Sequence, residues 1–404
     1  MLAGTRILDL TWVLGGPFGT QLLAQLGAEV IKLEPPAGDL ARKIPPHFHE
    51  GESSFFLSAN RGKSSVVIDI KQADGYAVLL DLVREVDAVV YGFSPEVPKR
   101  LGLDHETLAR TNPTICVGEI IGIHDGPPFS RTPAFDLVVQ ALGGIMSITG
   151  ETDGRPQRVG YQIADLAGGL YLALGTLAAI HRAKATGKGG RVQISLLDCQ
   201  LALLTWQAQN YFISGEVPVA LGARHAMIAP SDAFRAADGE NFVVSPTGEA
   251  FWLKFCEAIG RAELAEDPLF ATAADRIANV EALTETLEAI FAAAPAEHWI
   301  ERLTGARVPA AKVNSVAEAV EQPAADLRDM VEAASHRQSG AALNFLGNPF
   351  KFDGAEPLAY PPPLGADTFD VLTEICGYGP EQLNKLRNAG VIVQGETHDA
   401  SNRH

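Results

Sequence analysis

The order in which strand-like and helix-like segments follow one another through residues 1–120 constrains this chain more than any single motif. The apolar run Arg6–Leu10 gives way to the turn Gly15-Gly16-Pro17, then to helical spacing at Phe18, Leu22, Leu23 and Leu26. Pro17 suits a first helical position and Gly27 a helix end. Glu29–Leu33, Ser65–Ile70, Asp87–Tyr91 and Thr114–Gly118 read as further strands, with Tyr76–Val83 a helix among them. Alternation of this kind requires right-handed crossovers and builds a largely parallel sheet. The expected fold class is α/β, with a Rossmann-like large domain. Leu137–Ile145, Leu166–Arg182 and Leu196–Phe212 read as helices, and Arg191–Ser195 as a strand. Near Leu221 the pattern changes to one strand, Asn241–Ser245, and the alanine-rich helical stretches Phe251–Ile259, Val280–Ala294 and Glu297–Thr304. The expected division is residues 1–200 as the first part of the large domain, 221–325 as a small α+β domain, and 326–404 as a connector with closing helices. Residues 323–363 read as irregular and proline-rich, with helices expected at Asp367–Cys376 and Pro380–Ala389.

Composition enters through charge. The chain carries 32 basic and 49 acidic residues, a net charge of −17. A field of that sign repels nucleic acid and anionic membranes, so neither is an expected partner. Four cysteines, Cys116, Cys199, Cys256 and Cys376, lie far apart with no CxxC pair, which suits free thiols in a reducing cytoplasm. No secretory leader is evident at the N-terminus. The longest apolar run, Leu166–Ile180, is shorter than the roughly 20 residues of a membrane span, and a buried helix is expected there.

Several motifs invite chemistry. Gly15-Gly16-Pro17-Phe18-Gly19 places amides and a helix N-terminus where an anion can bind, although a plain tight turn reads the same way. The GxGxxG fingerprint is not met, and Glu34 at the end of a strand is weak support for a dehydrogenase. Gly62-Lys63-Ser64 lacks the opening glycine of a P-loop and precedes a strand. His47, His49 and Glu50 lack HExxH spacing, and no metal is expected. No GxSxG elbow occurs. Asp165 opens the long apolar helix, as an N-cap would; a carboxylate kept ionised by the helix end can also attack an activated carbonyl. Arg42, Arg61, Lys63, Lys71, Lys99 and Arg100 lie near loops after strands, where as a set they suit a phosphorylated ligand.

The ordered set of motifs resembles the family III CoA-transferases, the group that includes formyl-CoA transferase and the α-methylacyl-CoA racemases. The resemblance is carried by Gly15–Phe18 with Leu23–Glu34, Asn60–Ser64, Ile68–Lys71, Arg100–Leu103, Ala164–Gly169, Thr186–Gly190 and Pro363–Thr368, and it spans nearly the whole chain. It implies an interlocked homodimer whose large domain combines N- and C-terminal segments around an inserted small domain. It implies that Asp165 is the nucleophile, passing through an aspartyl mixed anhydride and an aspartyl-CoA thioester. It further implies a coenzyme A site lined by Val13, Leu14, Arg42, Ile68, Lys71, Phe93, Arg100 and Leu101, with Arg42, Lys71 and Arg100 on the phosphates. Acyl-CoA and a small carboxylic acid are then substrates, with no tightly bound cofactor.

Departures from the family pattern bear on which reaction is expected. Gly92-Phe93-Ser94-Pro95-Glu96 stands where many relatives read Asn-Phe-Arg-Pro-Gly, the loop Gly122–Pro127 is shorter than usual, and Gly365-Ala366-Asp367-Thr368 replaces Gly-Glu-His-Thr. The racemases place a histidine where Phe135 stands, and racemisation needs a second acid/base that phenylalanine cannot supply. Transfer is favoured; an acyl-CoA racemase or epimerase and a non-catalytic CoA-binding subunit are the alternatives. Arg224 and His225 are expected near the acyl pocket.

Overall fold

The computed structural model describes residues 1–124, 126–129 and 132–395. The chain forms two compact units. One comprises 1–145, 158–209 and the segment from 324 onward; the other comprises 146–157 and 210–323.

The first unit begins β1 (Arg6–Leu10), α1 (Gly15–Gln25), β2 (Glu29–Glu34), a small hairpin β3 (Phe48–His49) and β4 (Glu52–Ser53), α2 (Ser54–Ala59) and β5 (Lys63–Ile68). It continues α3 (Ala73–Glu85), β6 (Ala88–Tyr91), α4 (Glu96–Leu101), α5 (His105–Ala109), β7 (Cys116–Ile121), α6 (Asp136–Leu142), α7 (Ile163–Thr186), β8 (Gly190–Ser195) and α8 (Leu196–Leu203). Helix α9 (Thr205–Ser214) leads into the second unit, made of β9 (Asp232–Arg235), β10 (Asn241–Val244), α10 (Glu249–Ala258), α11 (Ala273–Ala278), α12 (Val280–Phe291), α13 (Ala296–Gly305), β11 (Ala310–Lys312) and α14 (Val316–Glu321). After α15 (Pro323–Asp326) the chain adds to the first unit the hairpin β12 (Val331–Ser335) and β13 (Ala342–Leu346), then α16 (Thr368–Cys376), α17 (Pro380–Asn388) and β14 (Ile392–Val393).

The main sheet runs β14-β5-β2-β1-β6-β7-β8, parallel throughout except where β14 meets β5. The parallel strands fan out from β1 in both directions, which is the doubly wound order and places a switch point between β1 and β6. Both faces are covered. Ile7, Val30, Ala88 and Val90 pack beneath α1 and α7, while Leu8, Ile31, Val66 and Val89 pack beneath α3, α16 and α17. That is why these strands read as continuous apolar runs rather than alternating ones. In the second unit β11-β10-β9 is antiparallel, and Phe234, Phe242, Trp252, Phe255, Phe291 and Trp299 form its core.

Several boundaries differ from those read off the sequence, each for a local reason. Strand β5 starts at Lys63, because its ladder with β2 begins there, and stops at Ile68, because Asp69 turns the chain by accepting the Lys71 N–H. Strand β7 starts at Cys116 because Thr114 bonds to the Asn112 side chain, and it runs on to Ile121 because β8 pairs with it that far. The helix read as Leu196–Phe212 is two helices, broken where Thr205 takes φ +38°. Strands β3, β4, β9, β11, β12, β13 and β14 have no counterpart among the strands expected from the sequence, and β12 and β13 fall in the stretch expected to be irregular. Helix α7 is longer than its apolar run and, by length and composition, long enough to cross a membrane; half of its apolar window is buried in this unit, against α1, β7 and β8 among others.

A close backbone contact in the large unit joins α1 and α7. A Cβ on Gly19 would lie 2.6 Å from the Gly169 carbonyl oxygen, and one on Gly169 would lie 2.5 Å from that of Gly15. The pairing of Gly15 with Asp165 and of Gly19 with Gly169 makes the two helices run parallel, first turn beside first turn. Gly19→Ala is therefore expected to force the helices apart and cost about 1–3 kcal/mol in denaturant unfolding. Gly305→Ala, at a helical position with nothing within 4 Å, is the control and should leave stability unchanged or slightly raised.

Candidate active site

Because α1 follows β1, its N-terminus lies at the carboxyl edge of the sheet, beside the switch point. The parallel contact brings the first turn of α7 to the same place. No side chain caps α1. Among the described residues, the Gly15 and Gly16 amides have no acceptor, and Gly16 is required because a Cβ there would strike the Thr11 side chain at 2.4 Å.

Asp165 occupies the third position of α7, not its N-cap as the sequence suggested. The cap residue is Gln162, whose side chain makes no capping bond. The role passes to Asp136, whose Oδ1 accepts the Ala164 N–H at 2.9 Å and the Asp165 N–H at 3.4 Å. The Asp165 carboxylate is thus released from helix capping, and among the described residues nothing donates to it. Burial pushes its pKa up to about 6, and the negative charge of Asp136 adds to the rise. A pKa of about 6 still leaves it mostly ionised at neutral pH, with desolvation and a like charge working against the helix end.

The loop leading into α1 is held by buried charges. Asp9, near the carboxyl end of β1, accepts from Thr11 N at 2.9 Å, from the Thr11 hydroxyl, from the Thr20 hydroxyl at 2.6 Å and from Lys63 Nζ at 2.9 Å. Burial alone would raise the Asp9 pKa, but Lys63 and Lys32 overcome it and hold the group at about 2. Lys32 donates to the Thr11 carbonyl at 2.8 Å and pairs with Asp39 at 2.8 Å. Asp39 in turn accepts the Val13 N–H at 3.1 Å. Val13 takes φ +69°, a strained conformation for a β-branched residue, at the turn where β1 passes into α1.

The structure divides the basic set read from the sequence. Arg42 is buried, and its five N–H groups all have acceptors in Glu34, Glu52 and the Pro362 carbonyl. A phosphate could reach it only by displacing one of them. Arg61 pairs with Glu332 and Lys63 with Asp9. Lys71, Lys99 and Arg100 are exposed. Of the remaining residues named for coenzyme A, Val13 and Leu14 enter α1, Ile68 is buried at the end of β5, and Phe93 and Leu101 pack on the core beside α4. Phe93 stacks on Tyr91 at 5.6 Å. Arg224 and His225 belong to the second unit, where the Arg224 charge acts on Asp232. His49 bonds to the Tyr360 hydroxyl at 2.8 Å, and among the described residues no cluster suits a metal.

Two cavities open at the carboxyl ends of β6 and β7. One, of about 560 Å³, is lined by Phe93, Ile120, His124, Phe129 and Phe135 among others. The other, of about 630 Å³, is lined by Tyr91, Phe93, Lys99, His105, Glu119 and Arg191 among others. Asp165 lines neither; lining residue Phe135 precedes its partner Asp136, and lining residue Ile120 packs 3.2 Å from where a Gly168 Cβ would be.

A doubly wound sheet with a half-buried aspartate at a helix-lined switch point defines an α/β class of fold. The comparisons specify it. The sequence model of CoA-transferase family III matches residues 2–368, and the chain belongs to that family. It is 38% identical over 353 residues to an acetyl-CoA:oxalate CoA-transferase of Acetobacter aceti, covering 87% of this chain and 89% of that one. It is 34% identical over 403 residues to the succinyl-CoA:glutarate CoA-transferase of Mus musculus, covering 98% and 91%. A solved CAIB/BAIF family protein from Brucella suis superposes with TM-score 0.82 at 32% identity, covering 93% of this chain and 99% of that one.

Two outcomes follow from this geometry. Lys63→Met leaves the buried Asp9 carboxylate without its nearest cation and should cost about 3–5 kcal/mol in denaturant unfolding. If Asp165 must be ionised to act, the rate should rise with pH through about 6, well above the ordinary aspartate range, which a pH profile of kcat/KM would read.

Proposed function

We propose that this protein is an acyl-CoA:carboxylate CoA-transferase with Asp165 as its nucleophile. The observation that carries this reading is a half-buried carboxylate that, among the described residues, accepts no hydrogen bond, seated where the first turns of α1 and α7 meet. An Asp165 oxygen attacks the thioester carbonyl carbon, the C–S bond breaks, and CoA leaves as thiolate. The thiolate attacks the aspartyl carbonyl of the mixed anhydride, releasing the donor acid and leaving an aspartyl-CoA thioester. An acceptor carboxylate attacks that thioester and expels the thiolate. The thiolate then attacks the acceptor's carbonyl, giving new acyl-CoA and free Asp165. The anhydride stores the thioester's activation, so no ATP is needed. The Gly15 and Gly16 amides are the donors best placed to steady the oxyanions.

Coenzyme A lies along the carboxyl ends of β1, β5 and β6, against Val13, Leu14, Ile68, Phe93 and Leu101. The exposed Lys71 and Arg100 meet its phosphates, and Arg42 braces Glu34 and Glu52 behind that wall. The named relatives act on oxalate, mesaconate and glutarate, so a short dicarboxylate is the acceptor to screen first.

A second copy of the chain completes the protein, as an interlocked homodimer. The support is α7, which leaves Leu170, Tyr171 and Leu174 exposed along one stripe, with Leu137 and Leu142 of α6 and Leu201 of α8 exposed as well. The four unpaired cysteines suit a cytoplasmic setting.

One observation favours a second reading. His124 lines the same cavity as Phe135, although it is not at the position that matches the racemases' histidine. Racemisation predicts α-proton exchange into the acyl-CoA in deuterated water without an acceptor acid.

Incubation with acyl-CoA followed by hydroxylamine or borohydride should mark Asp165 in a peptide map, and Asp165→Asn should abolish both label and turnover. Labelling elsewhere, or full activity in that variant, overturns the mechanism. Light scattering should give twice the chain mass and show no dissociation on dilution to nanomolar concentration.

A further inference from the structure

Asp136 opens α6 but acts on α7. Its Oδ1 takes two amides of the first turn of α7, and its Oδ2 accepts from Gln140 Nε2 at 2.7 Å. Gln140 Oε1 accepts the Val159 N–H at 3.0 Å. Both side chains are buried, Asp136 at 8% exposure and Gln140 at 0%. The segment 159–165 is therefore hung from α6 at both ends. We infer that Asp136 is a positioning residue for Asp165: it fixes the first turn of α7 from outside the helix and sets a second negative charge beside the nucleophile. The inference rests on the transferase reading and deepens it.

The neighbouring elements leave this role to Asp136. Helix α1 presents Gly15, Phe18 and Gly19 to the first turns of α7, β7 presents Ile120, and α8 presents Leu196, with Asp198 further along. The charge beside Asp165 that acts on its titration is that of Asp136. A carboxylate partly shielded from water and repelled by a neighbour is a stronger nucleophile towards a thioester than a fully solvated one.

The test is Asp136→Asn, which keeps the amide-accepting oxygen and removes the charge. The titration of Asp165 is followed by ¹³C NMR on protein labelled at aspartate, its resonance identified by loss in Asp165→Asn. Asp165 should titrate about one pH unit lower in Asp136→Asn than in the parent protein. The acid limb of kcat/KM should move with it, and kcat should fall while KM for acyl-CoA stays within about twofold. An unmoved Asp165 titration overturns the inference, since a merely structural cap predicts that result. The NMR readout does not depend on turnover, so it stands even if the transferase reading fails. Should Asp136→Asn not fold, Gln140→Met loosens Asp136 without removing its charge. A fall in kcat with the acid limb in place then supports the role, and unchanged kcat overturns it.

Discussion

The site depends on how closely two helix backbones approach. Gly15 and Gly19 of α1 meet Asp165 and Gly169 of α7 at distances no Cβ tolerates. With any larger residue at Gly19 or Gly169 the helices would separate, and the first turn of α7 would leave the switch point. The glycines are therefore part of the chemistry as much as of the packing. They bring an aspartate and a pair of uncapped amides to one place without a loop long enough to be mobile.

A second constraint lies under the same turn. Asp9, Lys63, Lys32 and Asp39 are fully buried in the large unit, and each is matched by an opposite charge. Buried pairs of this kind add little to stability against an apolar alternative. Their bonds to Thr11 and Val13 suggest what they do instead: they hold a strained loop in one conformation at the mouth of the site. Arg42 follows the same logic. A cation that looks, in sequence, like a phosphate ligand is spent on Glu34 and Glu52.

The carboxylate pair gives the site its electrostatic character. Helix ends favour anions, yet the partner that satisfies the α7 amides is itself an anion, and it sits against the proposed nucleophile. Capping from outside frees Asp165 from the capping role and raises its proton affinity at the same time.

Much of this was legible in the chain. Apolar runs flanked by glycine and proline announced the parallel sheet, because strands buried on both faces need continuous hydrophobicity. The motif around Asp165 pointed to a candidate nucleophile. What the chain could not convey was contact between distant segments. Asp136 and Asp165 are 29 residues apart, and no local pattern says that one caps the helix of the other. The strands β9, β11, β12 and β13 are short, and only their pairing partners make them strands. Side-chain type and spacing thus determined the alternation of elements and the candidate nucleophile. Tertiary structure alone decided which charges are neutralised, which helix ends are capped and from where, and how acidic Asp165 is, because burial and electrostatic coupling are properties of neighbours in space.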